Sequence, residues 1–324
     1  MAERDVERQL VKYLTDAHAI EEQALQQLRT APRIAGHPRL QRIFEEHLGE
    51  TEIHERRIRE RLEAHGAAPS RAKDLAARAG GEGFMLFARI QPDTPGKLLS
   101  HAYSYEHLEL AAYGLLELVA GRAGDGETAE VARGIRAEEA AMGERLAGAF
   151  DAGVEASLAA VEAVDLDREL DRYLADAHAI EEQAVQLLAR VTRAGDPALA
   201  EVTADHLLES HDHARWLAER LEARGSSTST LKDAAMRLGA LNWSAFFRAQ
   251  PDTPVKLAAF CFAFEHLEIA GHEQLRRVAR RAGDEITVTT ADLILSHERA
   301  AARRLSDRFE PALEAALEAV GVAR

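Results

Sequence analysis

Glu21 stands where an apolar residue is due. Leu10, Leu14, Ala17, Ala24 and Leu28 recur at helical spacings, and Glu21 completes their stripe. The pattern repeats down the chain. His47, Glu50 and His54 sit one turn apart between Leu40, Ile43 and Ile58, and Glu106 and Glu109 interrupt a stripe of Leu99, Ala102 and Leu116. Glu139 lies between Ala132, Ile135, Met142 and Leu146. Burying one charged carboxylate costs on the order of several kcal/mol unless something compensates it. No Lys or Arg shares these stretches of stripe. Proton sharing silences one or two carboxylates, since like charges raise each other's pKa, but it does not readily silence four. Divalent cations neutralise them directly, and mixed carboxylate and imidazole donors suit iron or manganese better than zinc alone. Glu21, Glu50, His54, Glu106, Glu109 and Glu139 are the candidate ligands, enough for two metals that share bridging carboxylates.

The constellation occurs twice. The stretch DAHAIEEQA at residues 16–24 returns at 176–184, and beyond one deleted residue the offset of 160 becomes 159. The second set is Glu181, Glu209, His213, Glu265, Glu268 and Glu298. His47 and His206 fit a satisfied core histidine, a partner to a ligand or a ligand itself. His18, one stripe over beside Val11 and Leu25, reads as structural. Tyr113 reads as packing with a hydrogen-bonded hydroxyl, and its counterpart His272 as an additional ligand candidate. His297 replaces Glu138 beside the stripe. Cys261 reads as a small buried apolar residue. Glu22, Gln23 and Glu182 lie off the stripe and read as solvated, and Arg56, Arg57, Arg59 and Arg61 alternate with acids as a salted helix face.

The elements that must position these residues are helices. A first is predicted over residues 5–29 with Asp5 as its cap, and a second over 38–64, stopped by Gly66. A further helix is predicted over 70–90. A third long helix runs to about residue 120, with Asp93 as its cap and Pro95 in its first turn, and a fourth spans 128–150. Residues 151–164 form a helical connector. The second copy follows the same plan, with 225–230 as its most flexible loop. The expected fold is all-α: two tandem four-helix bundles, residues 1–155 and 160–324, each with an extra helix between its second and third bundle helices.

Composition narrows the class. With 40 Lys plus Arg against 55 Asp plus Glu, the net charge is −15, which repels phosphate backbones and argues against nucleic acid as a partner. The single cysteine excludes an intrachain disulfide framework. The charged start MAERDVERQL is unlike a signal peptide, and the apolar run at 257–264 is too short to span a bilayer. A cytoplasmic protein whose partners are metal ions, and no membrane, is the expectation.

On these residues the chain resembles the ferritin-like superfamily and, within it, the YciE/YciF-like family of stress-associated proteins. The resemblance rests on Asp16 with Glu21 and Gln23, on His47-Leu-x-Glu50-Thr51, on Glu106-His-x-Glu109 with Tyr113-Gly114, and on Glu138-Glu139 before Leu146. It implies a four-helix bundle with a di-iron site, Glu21, Glu50, Glu106 and Glu139 being the matched carboxylates. Such sites usually place a His three residues after a Glu on two helices. Here His54 follows Glu50 by four, and Met142 follows Glu139. Two bundles in one chain imply a stand-in for a homodimer, open to further self-association, rather than a large storage shell. The expected chemistry is oxidation of Fe(II) by dioxygen or peroxide. A metal-free bundle acting as a stress or interaction module is the alternative. A haemerythrin-like oxygen carrier needs histidines on the later stripes, and the first copy has none there.

Overall fold

The computed structural model describes residues 2–70, 94–194, 199–227 and 253–319, and among these every regular element is a helix. The predicted helix over 70–90, the Asp93 cap and part of the 225–230 loop lie outside them. By its internal contacts the chain divides into two compact units, one holding the residues up to Ala159 together with those from Leu317 on, and the other Ala160–Ala316.

In the first unit the bundle helices are α1 (Ala2–Leu28), α3 (Pro38–Ala64), α4 (Thr94–Ala123) and α5 (Gly126–Ala147). The short α2 (Ala31–Ile34) precedes α3, and α6 (Phe150–Leu158) occupies the predicted connector. Helix α1 packs on α3 and α4, and α5 closes the square against the same two helices. The second unit repeats the square with α7 (Leu166–Ala194), α8 (Ala200–Ala223), α9 (Thr253–Ala282) and α10 (Glu285–Ser306), and α11 (Phe309–Ala319) follows. The result is two tandem all-helical bundles. No helix among the described residues is long and apolar enough to cross a membrane.

Local signals set most boundaries. Pro38 opens α3 at a position whose N–H needs no partner, and the His37 ring accepts from Arg39 N at 3.1 Å. Gly66 stops that helix at φ +65°, a conformation that costs side-chain-bearing residues energy. Asp125 caps α5 by accepting from Thr128 N at 3.0 Å, and Asp284 caps α10 through Thr287 N at 2.9 Å. Asp5 differs from expectation. The first helix begins at Ala2, so Asp5 lies within it and pairs with Arg8 instead of capping.

Arg61 also departs from the solvated face predicted for it. Its side chain is only 11% exposed and joins the end of α3 to the start of α5, bonding Thr128 Oγ1 at 2.9 Å and Asp125 at 3.2 Å. Arg220 repeats the joint on Thr287 and Asp284 at 3.2 and 2.8 Å. Removing it leaves the capping carboxylate short of a partner. Arg61→Ala is therefore expected to destabilise the fold by about 1–3 kcal/mol in chemical denaturation. Arg59→Ala, which removes an exposed arginine 3.6 Å from Glu55, is expected to stay within about 0.5 kcal/mol.

Candidate metal centres

Each helix of the first square delivers a titratable side chain to its middle. Glu21 comes from α1, His47 and His54 from α3, Glu106 and Glu109 from α4, and Glu139 from α5, none more than 3% exposed. Leu40, Ile58, Leu99, Leu116, Ile135, Met142 and Leu146 are buried around them. One donor atom from each of His47, Glu106, Glu109 and Glu139 lies within 4.8 Å of the others, and the same holds for Glu21, His54 and Glu139. Glu139 belongs to both groups. Its Oε1 is 2.7 Å from His54 Nδ1, and its Oε2 is 3.6 Å from His47 Nε2.

The donor atoms converge without satisfying one another. Glu21 Oε2, His47 Nε2, His54 Nδ1, Glu106 Oε2 and both oxygens of Glu109 and of Glu139 are buried without a hydrogen-bond partner. His54 Nδ1 and Glu139 Oε1 approach to 2.7 Å without meeting the geometry of a hydrogen bond. Orphaned buried acceptors on this scale are costly, and a cation among them removes the cost. The carboxylate and imidazole set fits a divalent metal of the iron and manganese class.

The electrostatics agree. Burial, with the neighbouring Glu139 charge, pushes the Glu21 pKa up to about 8. Burial and Glu106 push Glu139 to about 7, and Glu109 rises well above the ordinary carboxylate range for the same reasons. Burial opposes charge on His54, but Glu139 and Glu21 outweigh it and raise its pKa to about 9. Glu106 raises His47 in the same way, against its burial. In a metal-free bundle these groups hold protons where cations would otherwise sit.

Outside the cluster a ring of partners orients the donors. His47 Nδ1 meets Glu50 Oε2 at 3.0 Å, which turns Nε2 toward Glu106 and Glu139. Glu50 itself is 34% exposed and accepts from Arg145 at 3.0 Å. The His47 bond and Arg145 together lower its pKa to about 2. Sequence spacing places Glu50 and Glu209 among the ligands, whereas the structure places both outside the buried groups. Although no Lys or Arg shares the stripe, Arg145 reaches Glu50 from α5. His54 Nε2 rests on Glu138 Oε2 at 2.5 Å, with Arg57 3.3 Å from the same carboxylate. Tyr113, fully buried, donates to Glu21 Oε1.

The second bundle repeats the plan. His206, Glu265, Glu268 and Glu298 form one group, and Glu181, His213 and Glu298 the other, with Glu298 shared. His206 Nε2 is 2.7 Å from Glu265 and 3.4 Å from Glu298, and His213 Nδ1 is 2.8 Å from Glu298. Burial drives Glu265 up to about 8, and Glu268 well above the usual range. Glu209 bonds His206 Nδ1 at 3.0 Å and Arg304 at 2.7 Å, as Glu50 does in the first bundle.

The remaining candidates fall away from these clusters. His18 is buried and meets Glu55 at 3.0 Å, and with half-buried Glu22 makes a further small group near the surface. Ala214 stands at the position of Glu55 in the second copy. Cys261 is a free thiol, fully buried, and burial keeps it protonated.

The profile of a domain of unknown function, DUF892, matches residues 5–159 and again 165–318. No solved structure matches the chain.

Proposed function

We propose that this chain, which belongs to the DUF892 family of the ferritin-like superfamily, holds a pair of iron ions in each bundle and oxidises Fe(II) with dioxygen or peroxide, manganese being the alternative metal. One observation carries the reading: in each bundle a central carboxylate, Glu139 or Glu298, is common to two buried groups of unpartnered donors. Such sharing is what a bridged pair of ions requires. Bound iron would supply one-electron redox chemistry toward dioxygen or peroxide.

The chain's own residues set the conditions for that chemistry. Glu21, His47, His54, Glu106, Glu109 and Glu139 would hold the first pair, and Glu181, His206, His213, Glu265, Glu268 and Glu298 the second. Glu50 and Glu209 fix the rings of His47 and His206 so that Nε2 faces inward. Buried Leu, Ile and Met residues keep water from the donors. The resemblance to YciE/YciF-like proteins supports a protective role under stress. The protonated cluster supports a second reading, a metal-free helical module. Aerobic Fe(II) oxidation separates the two. The full chain is expected to form Fe(III) faster than buffer, and the double variant Glu139→Ala, Glu298→Ala at the buffer rate. A wild-type rate equal to buffer would favour the metal-free module.

A further inference from the structure

The six buried donors of the two bundles match type for type, but the residues behind them do not. Tyr113, fully buried, donates its hydroxyl proton to Glu21 Oε1. At the same place in the second bundle stands His272, 1% exposed, its Nε2 2.7 Å from Glu181 Oε1. Its Nδ1 is buried and makes no hydrogen bond. Glu181 accepts from Nε2 as Glu21 accepts from the phenol, and the imidazole adds a second ring nitrogen, Nδ1, that the phenol lacks. Glu181 is thereby flanked by two rings, since His213 Nδ1 lies 3.5 Å from its Oε2.

The far side differs too. His54 leans on the Glu138 carboxylate at 2.5 Å, an arrangement that makes a ligating imidazole more basic. His213 leans on His297 Nδ1 at 2.9 Å, and that ring stacks on it at 5.2 Å with Trp216 at 6.2 Å from His297. The second centre therefore has one more imidazole beside its donors and one fewer carboxylate behind them. Nitrogen-rich donor sets favour zinc relative to manganese and iron.

Resting on the reading of these clusters as metal centres, we propose that the two bundles differ in metal preference: His272 makes the second a centre that retains zinc against iron, while Tyr113 keeps the first selective for iron or manganese.

The test loads the full chain with Zn(II) without oxygen, challenges it with rising Fe(II), and counts retained zinc by elemental analysis. Zinc is expected to leave in two phases, separated on the order of tenfold in Fe(II), the size of effect typical of residues that support ligands. His272→Tyr should draw the late phase toward the early one, and Tyr113→His should move the early phase the other way. Each variant installs a side chain that the other copy already houses, and a thermal melt checks folding. Should one fail to fold, the other reads the same comparison from the opposite bundle. A single phase in a fully loaded wild-type chain, or two phases that neither folded variant moves, would overturn the proposal and leave the metal-centre reading standing. Zinc and iron both at buffer level would overturn the two together.

Discussion

Glu139→Ala is expected to empty the first bundle of metal and leave the second loaded, halving the metal content of the chain. The effect is large because Glu139 is common to both buried groups of its bundle, so its loss removes a donor from each. Its neighbours offer no replacement. Glu50 is turned away onto Arg145, and Glu138 lies on the far side of His54. Glu298→Ala is expected to do the same to the second bundle. Glu50→Ala is expected to weaken metal binding on the order of 10- to 100-fold without abolishing it, because it only orients His47. Glu22→Ala should leave metal content unchanged. The metal-free Glu139→Ala chain is expected to be no less stable than metal-free wild type, since an uncompensated buried carboxylate has gone. Elemental analysis of the variants, with thermal melts of the stripped forms, checks each part.

Metal-free protein should lose stability as the pH rises from about 5 to about 9, against the usual behaviour of carboxylate-rich proteins. The sign follows from the directions of the shifts. The folded pKa values of Glu21 and Glu265, about 8, and of Glu139, about 7, lie above the ordinary 4.5. The folded chain then binds protons that the unfolded chain has released, so stability is full below the unfolded value and is lost as pH rises through the folded one. His54 and His213, raised from 6.5 to about 9, act in the same sense over the upper part of the range. Glu50 acts oppositely below pH 4.5, and buried His101 and His107, lowered to about 3 and about 4, act oppositely up to about pH 6.5, so the fall is steepest above that value. Each fully buried carboxylate is worth on the order of a few kcal/mol, which for a bundle of this size corresponds to about 2–4 °C of Tm per kcal/mol. Fe(II) or Mn(II) displaces the protons, so the Tm gained on adding metal should grow with pH. A metal-free Tm that is flat or rising between pH 5 and 9 would contradict this electrostatic picture.

The fold was legible because its signals are local. Helical periodicity, Pro38, Gly66 and the sequence around Asp125 mark boundaries that the backbone follows to within a few residues. The buried donors were legible for a related reason: a Glu on an apolar stripe is anomalous wherever the stripe leads. Glu50 shows the limit. Its phase on α3 matches that of His47 and His54, yet Arg145, on another helix and distant in sequence, draws it outward. Periodicity within one helix carries no trace of that pull. The trace is in the duplication, where Arg304 accompanies Glu209 as Arg145 accompanies Glu50. His47 stayed open between packing and ligation for the same reason, because its inward nitrogen is set by the bond Glu50 makes to the other one. Arg61 was hidden among arginines of like spacing, and only its partners at the start of α5 distinguish it.

The most direct measurement is the metal content of the full chain after anaerobic reconstitution with Fe(II) and removal of unbound ions. Two buried groups in each of two bundles predict 2 × 2, or about four, ions per chain. Glu139→Ala and Glu298→Ala should each fall to about two, and the double variant to the buffer level. Wild-type iron and manganese contents indistinguishable from buffer would contradict the account and leave the converging donors as a cluster held together by protons alone.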